Sequence, residues 1–163
     1  MKTTNQQRAQ QPVAEYVVGY CFNEDFSEVA LIEKRKPAWQ AGKLNGIGGK
    51  VEPGENIAEA MAREFEEEAG VYIGAALWLH IRTEWFGAEQ EAARAQPTGA
   101  KVHHFAYRAT SEEFARISTM EAEQVVKVRY PLDLLPTIYN LPYLIPMAAA
   151  VLLNQPPENR PAP

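Results

Sequence analysis

The stretch Arg63-Glu64-Phe65-Glu66-Glu67-Glu68 puts four carboxylates within five residues. Like charges three or four positions apart on a helix repel one another. Glu64, Glu67 and Glu68 have that spacing, so on a helix they project together. A hard divalent cation such as Mg2+ or Mn2+ reverses the cost, because it takes oxygen ligands and shares them with substrate phosphates. The competing reading is a solvated acidic helix face. Charge placement bears on the choice. Between Gly49 and Val71 seven glutamates (52, 55, 59, 64, 66, 67 and 68) face only Lys50 and Arg63. That local excess equals the net charge of the whole chain, −5, and the remainder is balanced at 14 acids against 14 bases. The acidity is focused, as a cation site requires.

The elements that must position these groups follow from periodicity and turn residues. A helix fits 56–69, with Asn56 and Glu59 as a capping-box-like start and Gly70 as the stop. Its apolar face is Ile57, Ala58, Met61, Ala62, Phe65 and Ala69, and the carboxylates are expected opposite Met61 and Phe65 or at an angle to them. Residues 13–22 and 28–36 read as strands, and 37–54, with four glycines before Pro53, as a long ordered loop. Further strands fit 75–86, 101–110 and 123–132, and a last helix fits 142–154. The link 87–100 is polar and long. Strands, one helix, more strands and a final helix favour a mixed α/β sandwich in the α+β sense over a strictly alternating doubly wound fold. The expected layout is one domain, 13–153, between flexible tails at 1–12 and 154–163.

The bulk composition is globular: 163 residues, 46% hydrophobic and 23% charged. An acidic net charge gives no reason to expect a nucleic-acid polymer as partner. No apolar run approaches the roughly 20 residues that span a bilayer, and residues 1–12 lack the apolar core of a signal peptide. A cytoplasmic location is therefore expected. Cys21 is the only cysteine, so no intrachain disulfide forms, and it reads as an inert core thiol.

Gly49, five residues, Glu55, seven residues, then Arg63-Glu64-Phe65-x-Glu67-Glu68-x-Gly70-Val71 resembles the Nudix box at every defined position. Phe65 is a bulky member of its apolar class. The resemblance implies a Nudix-type α/β/α sandwich with a mixed sheet. It implies hydrolysis of a pyrophosphate bond in a nucleoside di- or triphosphate derivative. It implies Mg2+ (or Mn2+) as cofactor, held by Glu64, Glu67 and Glu68 with the Gly49 carbonyl as a further ligand. Glu55 and Arg63 would form a supporting ion pair. The base in the reaction is Glu64 or a glutamate outside the box; in "TMEAEQVV", Glu121 is preferred to Glu123.

The segment "GKLNGIGGKV" resembles the corresponding loop of oxidised-purine nucleoside triphosphatases. The likeness puts Asn45 at a purine-reading position and Leu44 in place of a tryptophan. In a second base-reading segment near the C-terminus, Ile138, Asn140 and Leu141 stand where those enzymes carry a tryptophan and paired aspartates. Lys50 and Arg35 are candidate phosphate contacts. Trp39, Trp78, Trp85, Phe86 and Tyr139 can stack on a base or pack a core. His103 and His104 alternate along a strand, so at most one faces a site. The alternatives are an ADP-ribose, nucleotide-sugar or dinucleoside polyphosphate pyrophosphatase, and a non-catalytic nucleotide sensor. Gly87 stands where ADP-ribose pyrophosphatases tend to carry proline. All the box glutamates are present, which favours catalysis over sensing. The expected partner is a small nucleotide, and the chain a monomer or homodimer.

Overall fold

Along β1 (Ala14–Phe22) the side chains alternate between two cores. Val17 and Cys21 join one core with Met61, Phe65, Trp78 and Phe105. Val18, Tyr20 and Phe22 join the other with Leu144, Ile145 and Ala148. A sheet that is apolar on both faces needs a helix on each, and the chain supplies them. The computed structural model describes residues 13–86, 99–132 and 135–156. The tails expected at 1–12 and 154–163 lie outside these residues except for 154–156, as does the link over 87–98.

The remaining elements are β2 (Glu28–Glu33), β3 (Leu44–Asn45), α1 (Ile57–Ala69), a 3-10 turn (Ala75–Leu77), β4 (Leu79–Phe86), β5 (Ala100–Arg108), α2 (Ser111–Arg116), β6 (Gln124–Arg129) and α3 (Leu141–Leu153). The six-stranded sheet runs β3-β2-β1-β5-β4, with β6 on β2. β1 and β5 are parallel along their whole length, and the other pairings are antiparallel. α1 covers one face of this mixed sheet and α3 the other, which is the expected sandwich. Among the described residues no helix is long and apolar enough to cross a membrane.

Two elements, β2 and α2, differ from the sequence expectation. The strand read over 28–36 ends at Glu33, because Glu123 binds the main-chain N–H groups of Arg35 and Lys36 and draws them off the ladder. α2 was not expected. Its start is a full capping box, in which Thr110 and Glu113 bond each other's main-chain N–H. At α1 the Asn56 side chain accepts from Ala58 N at 2.8 Å, while Gly70 closes the helix in the left-handed conformation.

The feature that positions the site is a fork in the sheet. β1 and β2 pair only at Cys21–Ala30 and Phe22–Val29, then diverge. Residues 44–50 fill the gap. Leu44 and Asn45 pair with β2, while Ile47 and Lys50 bridge to Gly19 and Tyr16 of β1. The wedge is tight at Gly48. A Cβ there would lie 2.1 Å from the Val17 carbonyl oxygen, which is fixed in the sheet. Gly48→Ala is expected to lower stability by roughly 2 kcal/mol or more. Denaturant midpoints of the two proteins measure it, and an unchanged midpoint contradicts the wedge.

Candidate active site

Met61, Phe65 and Glu68 lie at i, i+4 and i+7, on one stripe of α1, and that stripe faces the sheet. The helix therefore carries Glu68 inward with the core rather than away from it, contrary to the expected separation of carboxylates from apolar face. Glu68 is only 9% exposed. Its Oε2 accepts from Gly48 N at 3.1 Å, which joins helix to loop. Burial pushes its pKa up to about 7, although the Gly48 hydrogen bond and Lys34 act against the shift. Burial also raises Glu64, and Glu67 and Glu121 add to the rise. Both carboxylates sit near the C-terminal, negative end of α1, whose last turn has no basic residue. Burial, the neighbouring carboxylates and the helix end penalise the anions and favour a cation.

Gly49 touches this cluster through its α-carbon. A Cβ there would lie 2.3 Å from Glu64 Oε2. Its carbonyl, expected as a metal ligand, accepts from Val17 N at 2.9 Å, which leaves its second lone pair for a cation. Arg63 ties the loop to the helix. Its Nε and Nη2 bind the two oxygens of Glu55 at 2.8 and 3.0 Å, and Nη2 also reaches the Lys50 carbonyl. Its Nη1 lies 2.8 Å from Glu64 and 3.1 Å from Glu67. The paired guanidinium holds the Glu55 carboxyl below its usual range. Among the described residues no three His, Cys, Asp or Glu side chains form a closed metal cage. Glu67 is 49% exposed and turned to Arg63. The donors nonetheless suit a hard cation: they are carboxylate oxygens, two of them on side chains that burial makes costly to ionise alone.

The two glutamates of "TMEAEQVV" separate. Glu123 is a latch, bound to Lys34 Nζ at 2.5 Å and to the N–H groups of Arg35 and Lys36. Glu121 is exposed, on a loop docked against the end of α1 by Ser118 N to Ala69 O and Met120 N to Glu68 O, each 3.1 Å. Its charge acts on Glu64.

A cavity of about 310 Å3 opens beside the cluster, and Gly48 and Gly49 belong to its wall. Asn45, Trp39, Tyr139 and Phe86 line it, with Lys34, Lys36, His104 and Asn140. Its cations are thus Lys34 and Lys36. Arg35 and Lys50 are exposed and outside the wall. Trp78 is core. Trp85 is exposed, with Lys101 Nζ 4.5 Å from its ring centre. Asn45 Oδ1 accepts from Gly46 N at 2.7 Å, and its Nδ2 donates to Gln40 at 3.3 Å. Of the two histidines, His104 faces the cavity and His103 binds Glu15 on the opposite face. Lys34, Lys36 and Glu84 were absent from the sequence-based candidates, whereas His104 is the one of the two alternating histidines that faces a site. Lys34 and Lys36 carried a usable signal, being alternate residues beyond a strand that meets a glycine-rich loop.

A family model described as the NUDIX domain matches residues 14–146. The human 8-oxo-dGDP phosphatase NUDT18 is 31% identical over 137 residues, which are 82% of this chain but 38% of that protein. The oxidized purine nucleoside triphosphate hydrolase of Danio rerio is 46% identical over 43 residues, 26% of this chain and 28% of that protein. The chain thus spans well under two thirds of these relatives. Among solved structures, the NUDIX domain of Shewanella oneidensis NrtR in complex with ADP ribose has 16% identity and a TM-score of 0.67, covering 90% of this chain and 92% of that one. A chain from a study of MutT from Aliivibrio salmonicida and Vibrio cholerae has 23% identity and a TM-score of 0.61, covering 83% and 96%. At these identities the structural likenesses speak for the fold.

Burial lowers the His104 pKa from 6.5 to about 4, with Glu84 opposing the shift. The unfolded chain therefore takes up this proton first as pH falls. The stability due to neutral His104 is complete above pH 6.5 and declines toward pH 4, by roughly 3 kcal/mol. Glu84, whose carboxyl is held below its usual value, loses its share only at lower pH. His104→Gln should flatten the pH dependence of the denaturation midpoint between pH 6.5 and 4. An unchanged slope contradicts the assignment.

Proposed function

The chain belongs to the Nudix family, and from that membership we propose that it is a divalent-cation-dependent hydrolase of pyrophosphate linkages in purine nucleoside di- or triphosphates. The observation that carries the reading is contiguity. Gly48 and Gly49 form part of the cavity wall, and the same two residues touch Glu68 and Glu64. A base in the cavity has its phosphates directed at the carboxylates. The names of the two curated relatives supply the substrate class, oxidised purine nucleotides.

Glu64, Glu67 and Glu68 would hold Mg2+ (or Mn2+), Glu67 by turning from Arg63. The cation, when bound, neutralises phosphate charge and acidifies water. Arg63, fixed by Glu55, keeps the loop and the helix in register. Lys34 and Lys36 bring positive charge to the cavity and help retain the phosphates. Glu121, on its docked loop, would accept a proton from the attacking water, with Glu64 the alternative. Glu123 holds the segment that carries Lys34. Asn45 has a loop-forming role through Oδ1 and one remaining N–H of Nδ2 for a base.

Mg2+-dependent hydrolysis should be screened over canonical and oxidised nucleoside di- and triphosphates, ADP-ribose, NADH and dinucleoside polyphosphates, with products identified. Hydrolysis of none of them contradicts the proposal. Glu67→Gln and Glu68→Gln should each lower turnover at least about 100-fold while the fold survives. Near wild-type turnover in both at saturating Mg2+ rules out the carboxylate site. Asn45→Asp separates the two roles of that residue. It keeps the acceptor for Gly46 N–H, so stability should change by less than about 0.5 kcal/mol, while loss of the donor raises KM for purine nucleotides about 5- to 10-fold with little change in kcat. An unchanged KM shows that Asn45 only shapes the loop.

A further inference from the structure

The last carbonyls of a helix lack partners within it, and a segment that crosses the helix end can supply them. At the C-terminus of α1, residues 118–120 do so. Ser118 N donates to Ala69 O and Met120 N to Glu68 O, each at 3.1 Å. Glu68 is a candidate ligand of the cation, and Glu121, the next residue after Met120, is the candidate base. The main-chain bond of Met120 thus joins these two groups. The segment is held on either side as well. Ile117 is buried in the core beneath α1, and the Thr119 hydroxyl accepts from Val125 N at 3.0 Å.

The Met120 side chain lies across this junction. A Cβ on Gly70 would come within 2.9 Å of Met120 Sδ, and the Ser118 hydroxyl donates to Sδ at 3.8 Å. The helix side of the sulfur therefore has no room for another atom. Its outer side is open, since Met120 is 61% exposed, whereas Met61 is fully buried and Met147 half-buried. An exposed thioether is the one that a dissolved hydroperoxide reaches first. Oxidation turns a soft apolar group into a dipole with a negative oxygen. Here that oxygen meets the negative end of α1, whose last turn has no basic residue, and the carboxylates around it. The sulfoxide is better accommodated in water than over Gly70.

We propose that Met120 is a redox-modification site: its oxidation by a hydroperoxide lifts the segment 118–121 from the end of α1 and withdraws Glu121 from the carboxylate cluster. In that step a sulfur lone pair takes one oxygen of H2O2, the O–O bond breaks, and the other oxygen leaves as water with both hydrogens. Sulfur gives up an electron pair and the peroxide accepts it. The inference rests on Glu121 serving the proposed hydrolase as base. It goes beyond that reading, because it puts an oxidant-sensitive switch on a residue outside the cavity wall.

The test is graded H2O2 treatment of the full chain, with each methionine followed by peptide mass spectrometry. Met120 should gain an oxygen before Met147 and Met61. Mg2+-dependent turnover should fall with that modification, at least about 5-fold with KM within about 2-fold, because a displaced base slows the chemical step. Methionine sulfoxide reductase with a thiol reductant should restore it. Met120→Leu keeps the apolar cover without the sulfur, so its turnover should start within about 2-fold of wild type and survive the same dose. Met120→Gln, which puts a polar oxygen at that point, should lose turnover without oxidant. Amide hydrogen exchange supplies a readout independent of activity: the Met120 amide should exchange at least about 5-fold faster after oxidation. The inference is overturned if Met120 sulfoxide keeps full turnover, which leaves the hydrolase reading intact. It is also overturned if Met120→Leu is inactivated as readily as wild type, or if the Met120 amide exchanges at an unchanged rate, as it would with Ser118 holding the sulfoxide in place. Wild type that hydrolyses no nucleotide overturns the hydrolase reading, and the exchange rate then decides this one.

Discussion

Glu68 is drawn into the sandwich interior by the same helical stripe that packs Met61 and Phe65 against β1. A carboxylate cannot stay there unless its oxygens are met, and the nearest donor is a main-chain N–H at Gly48. That hydrogen bond, with those of Arg63 to Glu55 and to the Lys50 carbonyl, relates the helix to the loop. It requires the loop to enter the fork between β1 and β2, and the fork admits it only because residue 48 has no side chain to strike the Val17 carbonyl. Once the loop is wedged there, Gly49 sits against Glu64, the Lys50 carbonyl reaches Arg63, and Asn45 faces the cavity. Core packing and site geometry are thus one constraint, and the stability of the helix–loop junction bears on both.

The burial that makes Glu68 expensive as an isolated anion also suits it to a cation. Desolvation strengthens electrostatic attraction as well as penalising charge. The negative end of α1 adds to this, and Arg63 shares Nη1 between Glu64 and Glu67 without contacting Glu68. On the far side of the cavity the balance differs. Glu84 is kept anionic by hydrogen bonds from Tyr143 and Asn140 and by the nearby Arg82 guanidinium.

The sequence is most informative where chemistry is local. Residues 49–71 hold Glu55, Arg63 and the three glutamates within 23 positions, so their spacing announces the helix, and the resemblance to the Nudix box singles out the glutamates as candidate ligands. The presence of β1, β2, β4, β5 and β6 and of both covering helices also follows from periodicity, but the order of the strands in the sheet does not. The inward position of Glu68 was readable too, since 61, 65 and 68 share a stripe, but the acidic run draws the eye to an outer face. The cavity was not readable in the same way. Glu84 meets Asn140 across 56 residues and His104 meets Tyr20 across 84, contacts that only the sheet creates. β3 has two residues and α2 six, too few for a period to show. The Thr110–Glu113 box was the one local sign of α2.

The central claim is that Glu64, Glu67 and Glu68 together hold the proposed cation at the mouth of the cavity. Its most direct test is a crystal structure with Mn2+ and a non-hydrolysable purine nucleoside triphosphate, phased to show anomalous scattering from manganese. The claim requires an anomalous peak bonded to carboxylate oxygens of all three residues, with Glu67 turned away from Arg63 and the phosphates on the opposite side of the ion. An ordered nucleotide whose manganese is held by other groups, with Glu64, Glu67 and Glu68 still arranged around Arg63, would contradict it.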